Sequence, residues 1–127
     1  MADFRADRVL VIAEAGVNHD GNIEQALQLI DVAADAGADL VKFQTFDADM
    51  LATANAALAD YQEQASGGDD LPADTGQLTM LKKLQLSERD HHKLMAHCEA
   101  RGIEFFSTAF DLYSLDFLAQ CGATRFK

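Results

Sequence analysis

Val9–Asp20 reads Val-Leu-Val-Ile-Ala-Glu-Ala-Gly-Val-Asn-His-Asp. Val9 to Ala13 is an unbroken apolar run. A run of this kind between turn signals predicts a strand buried on both faces, as in parallel sheets. The polar residues after it have no packing reason to end such a strand. Glu14 comes first, followed by Asn18 and His19 in a loop bounded by Gly16 and Gly21. A carboxylate at the C-terminal end of a strand is where α/β folds place their chemistry. Polar strand ends are also common, and Glu14 reads equally as a cap paired with a lysine.

Outward from this stretch the chain alternates. Strand one is expected over Arg8–Glu14. Asn22 is placed to cap a helix, with Gln25 as its capping-box partner. Ile23, Ala26, Leu27, Ile30, Ala33 and Ala34 then recur at helical spacing on one face, and Gly37 supplies the stop. Leu40–Thr45 is the second strand, with Val41 and Phe43 on one face and Lys42 and Gln44 on the other. A lysine and a glutamine on one face of a central strand are costly to bury unless something needs them. An edge strand with a wet face is the alternative.

Phe46–Leu86 is the least regular part. It carries Ala-rich helical pieces near Leu51–Gln64, a turn-forming stretch over Ser66–Asp70, Pro72, and a short amphipathic helix at Gln77–Leu84 with Leu78, Leu81 and Leu84 in step. So long a connection in a compact domain is usually functional, such as a lid, although a tolerated insertion has the same composition. Ser87 opens the next helix, with Asp90 three residues on. Its apolar face is Leu94, Met95 and Cys98, and Gly102 ends it. His91, His92 and His97 lack the i,i+4 spacing of a helical zinc motif and read as solvated positions. Strand three is Glu104–Thr108. Asp111 caps a helix through Gln120, with Leu112, Leu115 and Leu118 inward. Gly122 ends that helix, and Thr124–Lys127 reads as the start of strand four.

The order βα–βα–βα–β predicts an α/β fold of parallel (β/α) units, either an open doubly wound sheet or a closed barrel. No GxGxxG follows strand one and no GxxxxGK[ST] occurs, which weakens the nucleotide-binding open sheet. A (β/α)₈ barrel takes about 250 residues. The 127 residues here match its first half. A terminal fourth strand would leave an unpaired hydrophobic edge, so a continuing chain or a pairing partner is expected.

The formal net charge of −11 disfavours sequence-independent nucleic-acid binding and attraction to anionic membranes. An anionic substrate would need local lysines working against the overall field. Cys98 and Cys121 form no CxxC pair and fit reduced thiols of a cytoplasmic protein. No apolar run approaches the ~18 residues of a membrane span, and no signal peptide is recognisable.

The strand ends carry Glu14, Lys42 with Gln44, Ser107 with Thr108, and Lys127. In a barrel these converge on one mouth. Two lysines and hydroxyls from separate strands make a cradle for a phosphate or carboxylate, and Glu14 beside them suits general acid/base work. A buried ion-pair network, with Glu14 neutralising Lys42, is the plainer reading.

Three segments carry a resemblance. Ile12–Gly21 (Ile-Ala-Glu-Ala-Gly-Val-Asn-His-Asp-Gly), Ala36–Thr45 (Ala-Gly-Ala-Asp-Leu-Val-Lys-Phe-Gln-Thr) and Phe106–Asp111 (Phe-Ser-Thr-Ala-Phe-Asp) resemble the N-terminal part of the sialic acid synthase family. The family includes N-acetylneuraminate synthase and the enzymes making legionaminic and pseudaminic acids. The Glu-Ala-Gly-Val-Asn-His wording is closer to the sialic and legionaminic branches. The resemblance implies the N-terminal half of a TIM barrel: residues 1–127 as a partial (β/α)₈ domain with strands one to four, the rest of the barrel and an antifreeze-like domain lying outside this chain.

The resemblance also implies a domain-swapped homodimer that condenses phosphoenolpyruvate with an N-acetylmannosamine-type amino sugar, releasing phosphate. Residue by residue, it places the phosphoenolpyruvate-binding lysines at Lys42 and Lys127 and the phosphate-binding hydroxyl at Thr108. The active-site glutamine falls at Gln44, the catalytic-site glutamate at Glu14, and a pocket wall at Phe110. Asn18 and His19 match the motif as loop-shaping residues. A divalent metal, manganese or magnesium, is implied, with no ligand in this chain. Two departures stand out: Ala109 replaces a common proline, and Pro72 lies near the place of a sugar-contacting asparagine. The chain by itself is expected to be inactive and prone to self-association. The alternative is a non-catalytic half-barrel remnant or interaction module. An aldolase-type barrel using a Schiff-base lysine is a third possibility.

Overall fold

A computed structural model of the chain describes residues 8–52 and 73–127. Among these residues three parallel strands, β1 (Ile12–Gly16), β2 (Leu40–Thr45) and β3 (Glu104–Ala109), form one sheet in the order β1-β2-β3. Between and after them run α1 (Ile23–Asp35), α2 (Ala73–Leu84), α3 (Glu88–Arg101) and α4 (Leu112–Gln120). Residues 48–52 are also helical. The remainder of the expected Leu51–Gln64 helical pieces, the Ser66–Asp70 stretch and Pro72 lie outside the described residues.

The N-caps read from sequence form, but the Gln25 capping box does not, because the Asn22 amide donates to the His19 carbonyl at 2.9 Å instead. Asn22 Oδ1 accepts from the amides of Glu24 and Gln25 at 2.9 and 3.2 Å, satisfying donors that the first turn of α1 leaves unpaired. Ser87 Oγ accepts from the Asp90 amide at 3.0 Å, and Asp111 Oδ1 from the Ser114 amide at 2.7 Å. Gly37, at φ +78, follows α1 in the left-handed conformation that stops a helix.

The core lies on one face of the sheet. Ala15, Val41, Phe43 and Ile103 pack with Ala26, Ile30 and Ala33 of α1 and with Leu94 and Cys98 of α3. Burial pushes the Cys98 thiol up to about 12, as suits an inert core residue. A smaller cluster of Phe46, Ala48 and Leu81 holds α2 beyond the strand ends. The opposite face carries Glu14, Lys42, Gln44, Phe106 and Thr108, none of them fully buried.

Several expectations are corrected. The first strand is Ile12–Gly16, not Arg8–Glu14, and it is not buried on both faces: Val9, Val11 and Ile12 are 82%, 55% and 46% exposed. This strand is at the sheet margin, and the central strand is β2, so the edge-strand alternative for Leu40–Thr45 fails. The helix expected at Gln77 begins at Ala73. In α4, Leu112 is 79% and Leu115 37% exposed, while Ser114 and Leu118 face inward. The inward stripe is Ser114, Phe117 and Leu118. Thr124–Lys127 forms no strand. It lies near β3 through Arg125, whose Nε donates to Glu104 at 2.7 Å, without the regular pairing of a ladder.

Candidate active site

Register brings the polar residues together. Glu14 is paired with Lys42 across β1 and β2, and Gln44 with Thr108 across β2 and β3. Between Glu14 and Gly16 the register shifts by a bulge, with Gly16 at φ +55. A bulge re-aims the side chains beside it. A Cβ at Gly16 would lie 3.4 Å from Glu14 Oε1 and 3.7 Å from Gln44 Nε2, so both polar groups converge there.

Lys42 Nζ lies 2.6 Å from Glu14 Oε2. The lysine side chain is only 13% exposed, while the glutamate is 54% exposed. Lys127, although it belongs to no strand, brings its side-chain nitrogen beside that of Lys42. The Glu14 carboxylate holds Lys42 above the usual lysine range, and the neighbouring Lys42 pushes Lys127 below it. Glu14 pairs with Lys42, and Lys127 stands beside that lysine as a second amine. The ion pair of the plainer reading is formed, and a second cation is left over for an outside anion.

Glu14, Lys42, Gln44, Thr108 and Lys127 therefore stand at one end of one sheet face. Phe110 follows two residues after Thr108 and is 46% exposed. Ser107, expected at the mouth with Thr108, is instead buried on the opposite face. Alternation along β3 requires this, since adjacent strand residues point to opposite faces.

The loop after β1 is held by His19. This residue is 1% exposed, and its Nδ1 accepts from the Gly21 amide at 2.9 Å. Its ring lies 6.2 Å from that of Phe43. Burial chiefly, with His91 adding and Asp20 opposing, holds the imidazole below its ordinary value. Asn18 is exposed. His91, expected to be solvated, is 3% exposed: it shares the inward stripe of α3 with Leu94 and Cys98, a spacing visible in sequence. His97 pairs with Asp31 of α1 at 2.7 Å, and His92 is exposed.

Among the described residues no group of three or more His, Cys, Asp or Glu side chains is placed to hold a metal ion. No helix among them is long and apolar enough to cross a membrane.

The model of the NeuB family matches residues 29–127. An N,N'-diacetyllegionaminic acid synthase of Legionella pneumophila is 46% identical over 117 residues, covering 92% of this chain and 32% of the relative. The protein of the same name from Campylobacter jejuni is 43% identical over 120 residues, covering 94% and 34%. Among solved structures, the N-acetylneuraminic acid synthetase of Leptospira borgpetersenii in complex with citrate superposes with a TM-score of 0.72 at 28% identity, over 94% of this chain and 35% of that one. The chain spans about a third of the length of these relatives.

Proposed function

The chain belongs to the NeuB family, and on that premise we propose that it carries the phosphoenolpyruvate-binding part of a sialic-acid-type synthase. The reaction condenses phosphoenolpyruvate with an N-acetylmannosamine-type sugar to a nine-carbon product and releases phosphate. The observation that supports this reading best is the meeting of Lys42, Lys127 and Glu14 at one strand-end face.

In this reading Lys42 and Lys127 bind the carboxylate and phosphate of phosphoenolpyruvate, and the Thr108 hydroxyl donates to a phosphate oxygen. The Gln44 amide orients the enol beside Glu14. The enol carbon attacks the sugar aldehyde, water adds to the resulting oxocarbenium-like centre, and phosphate leaves. Glu14 moves the proton in the water step. Phe110 borders the site. The proposal includes a divalent metal, manganese or magnesium, with ligands other than the described residues. It also includes a cytoplasmic homodimer in which residues 1–127 form strands of a (β/α)₈ barrel, and it makes this chain inactive by itself.

The test is phosphate release from phosphoenolpyruvate with mannosamine derivatives and manganese, using the protein at the length its gene encodes and residues 1–127 alone. Release by the former and not the latter is expected. Turnover by residues 1–127 overturns the inactivity of the isolated chain. Borohydride trapping of a Schiff base on Lys42 or Lys127 favours aldolase-type chemistry. Absence of release at every length favours a non-catalytic module.

A further inference from the structure

Behind the strand-end face runs a buried chain of hydrogen bonds from β3 to α3. Ser107 Oγ lies 2.6 Å from Thr45 Oγ1, Thr45 Oγ1 lies 2.9 Å from His91 Nε2, and His91 Nδ1 lies 2.8 Å from the Ser87 carbonyl oxygen. Thr45, Ser107 and His91 are 5%, 4% and 3% exposed. The direction of the protons follows from chemistry. A carbonyl only accepts, so His91 Nδ1 must carry a hydrogen and donate it to Ser87. With the ring neutral, as burial favours, Nε2 is an acceptor. Thr45 therefore donates to Nε2, and Ser107 donates to Thr45. Each of the three side chains has one available role.

The location of this ladder gives it a consequence. Thr45 follows Gln44 on β2, and Ser107 precedes Thr108 on β3, while Gln44 and Thr108 are register partners. Adjacent strand residues point to opposite faces, so tying Thr45 to Ser107 on one face fixes how Gln44 and Thr108 are presented on the other. Beyond the strand ends the Asp47 and Ala48 amides are tied to Asp111 and Gln85, and within the strands α3 joins β2 to β3 side chain to side chain through one imidazole. We infer that His91 is a positioning residue, acting through Thr45 and Ser107 to hold Gln44 and Thr108 in the geometry that receives the anion. The ligand part of this inference rests on the phosphoenolpyruvate reading above; the positioning part does not.

Labelled protein at its gene-encoded length is compared as wild type, Thr45→Val, Thr45→Ser and Leu94→Ala. Thr45→Val keeps the shape and removes the hydroxyl, Thr45→Ser keeps the hydroxyl, and Leu94→Ala weakens the same core without touching the ladder. Long-range nitrogen–proton spectra are expected to show His91 protonated on Nδ1 and bare on Nε2. The Gln44 side-chain amide and Thr108 backbone amide signals are expected to move in Thr45→Val, to return in Thr45→Ser, and to stay in Leu94→Ala. In a phosphoenolpyruvate titration, Thr45→Val should bind about fivefold or more weakly and Thr45→Ser within about twofold of wild type. A proton on His91 Nε2 in the wild type overturns the inference. So do Gln44 and Thr108 signals unmoved by Thr45→Val, or equally moved by Leu94→Ala. If the signals behave as expected but no variant, nor the wild type, binds phosphoenolpyruvate, positioning stands and the phosphoenolpyruvate reading falls.

Discussion

Glu14 and Lys42 meet across paired parallel strands at 2.6 Å, and Lys127 joins the same lysine, so the carboxylate neutralises only one of two amines. This separates a catalytic Glu14 from a merely structural one. Glu14→Gln removes a charge that competes with an incoming anion. Phosphoenolpyruvate binding is then expected to hold or tighten while turnover falls by about 10²–10⁴, the range for loss of a general acid/base. Measuring kcat and the dissociation constant separately decides it. Turnover within a few-fold of wild type, with a lowered melting temperature, would assign Glu14 to the ion pair alone.

Lys127 carries the alkaline limit of the site. Its neighbour Lys42 lowers its proton affinity, so Lys127 loses its charge first as pH rises. Affinity for phosphoenolpyruvate should fall at a pH below the ordinary lysine value of about 10.4. Lys127→Arg, which stays charged, should flatten that limb, and Lys127→Met should lose about 10–100-fold at neutral pH. Titration calorimetry across pH reads both. A wild-type limb that Lys127→Arg leaves unchanged assigns it to another group.

Two left-handed glycines should respond unequally to a methyl group. At Gly37, with φ +78, a Cβ would meet nothing within 4 Å, so Gly37→Ala should cost about 1–2 kcal/mol from backbone strain alone. Gly21, at φ +73, would place a Cβ 1.8 Å from the Lys83 carbonyl oxygen. Gly21→Ala must shift the end of α2 and should cost about 3 kcal/mol or more. Chemical denaturation of both variants checks the order. Equal costs would remove the close approach of α2 to the first loop.

Stability should fall on mild acidification. Burial holds His91 and His19 below the ordinary imidazole value of about 6.5. Below that pH the unfolded chain binds protons that the folded chain resists, so unfolding free energy rises with pH in this window. The contribution is complete above about 6.5 and is lost as pH drops through the folded values. Denaturant midpoints should therefore decline from about pH 6.5 to 5, and His91→Gln should flatten part of the slope. An unchanged slope in His91→Gln would show that His91 is not held neutral by the fold.

The parts legible in sequence were those governed by neighbours along the chain. Asn22, Ser87 and Asp111 cap the helices they were expected to cap, and Val41 and Phe43 turn from Lys42 and Gln44 by strand alternation. What failed depended on partners distant in sequence. Val9 and Val11 are apolar yet exposed, because their run lies at the sheet margin and not at its centre. Leu112 and Leu115 obey helical spacing, but the packing against β3 selects Ser114 and Leu118. The Thr45–Ser107–His91 ladder needs the β2–β3 register, which no local pattern fixes. Only His91 left a signal, its i+3 and i+7 spacing to Leu94 and Cys98.

The central claim is that Lys42 and Lys127 receive phosphoenolpyruvate. Its most direct test is equilibrium binding of phosphoenolpyruvate to the gene-encoded protein and to its Lys42→Met variant, with folding of both checked by circular dichroism. Saturable binding in the wild type, weakened by about tenfold or more in Lys42→Met, is the predicted result. Equal binding by the two proteins, or none by the wild type, would contradict it.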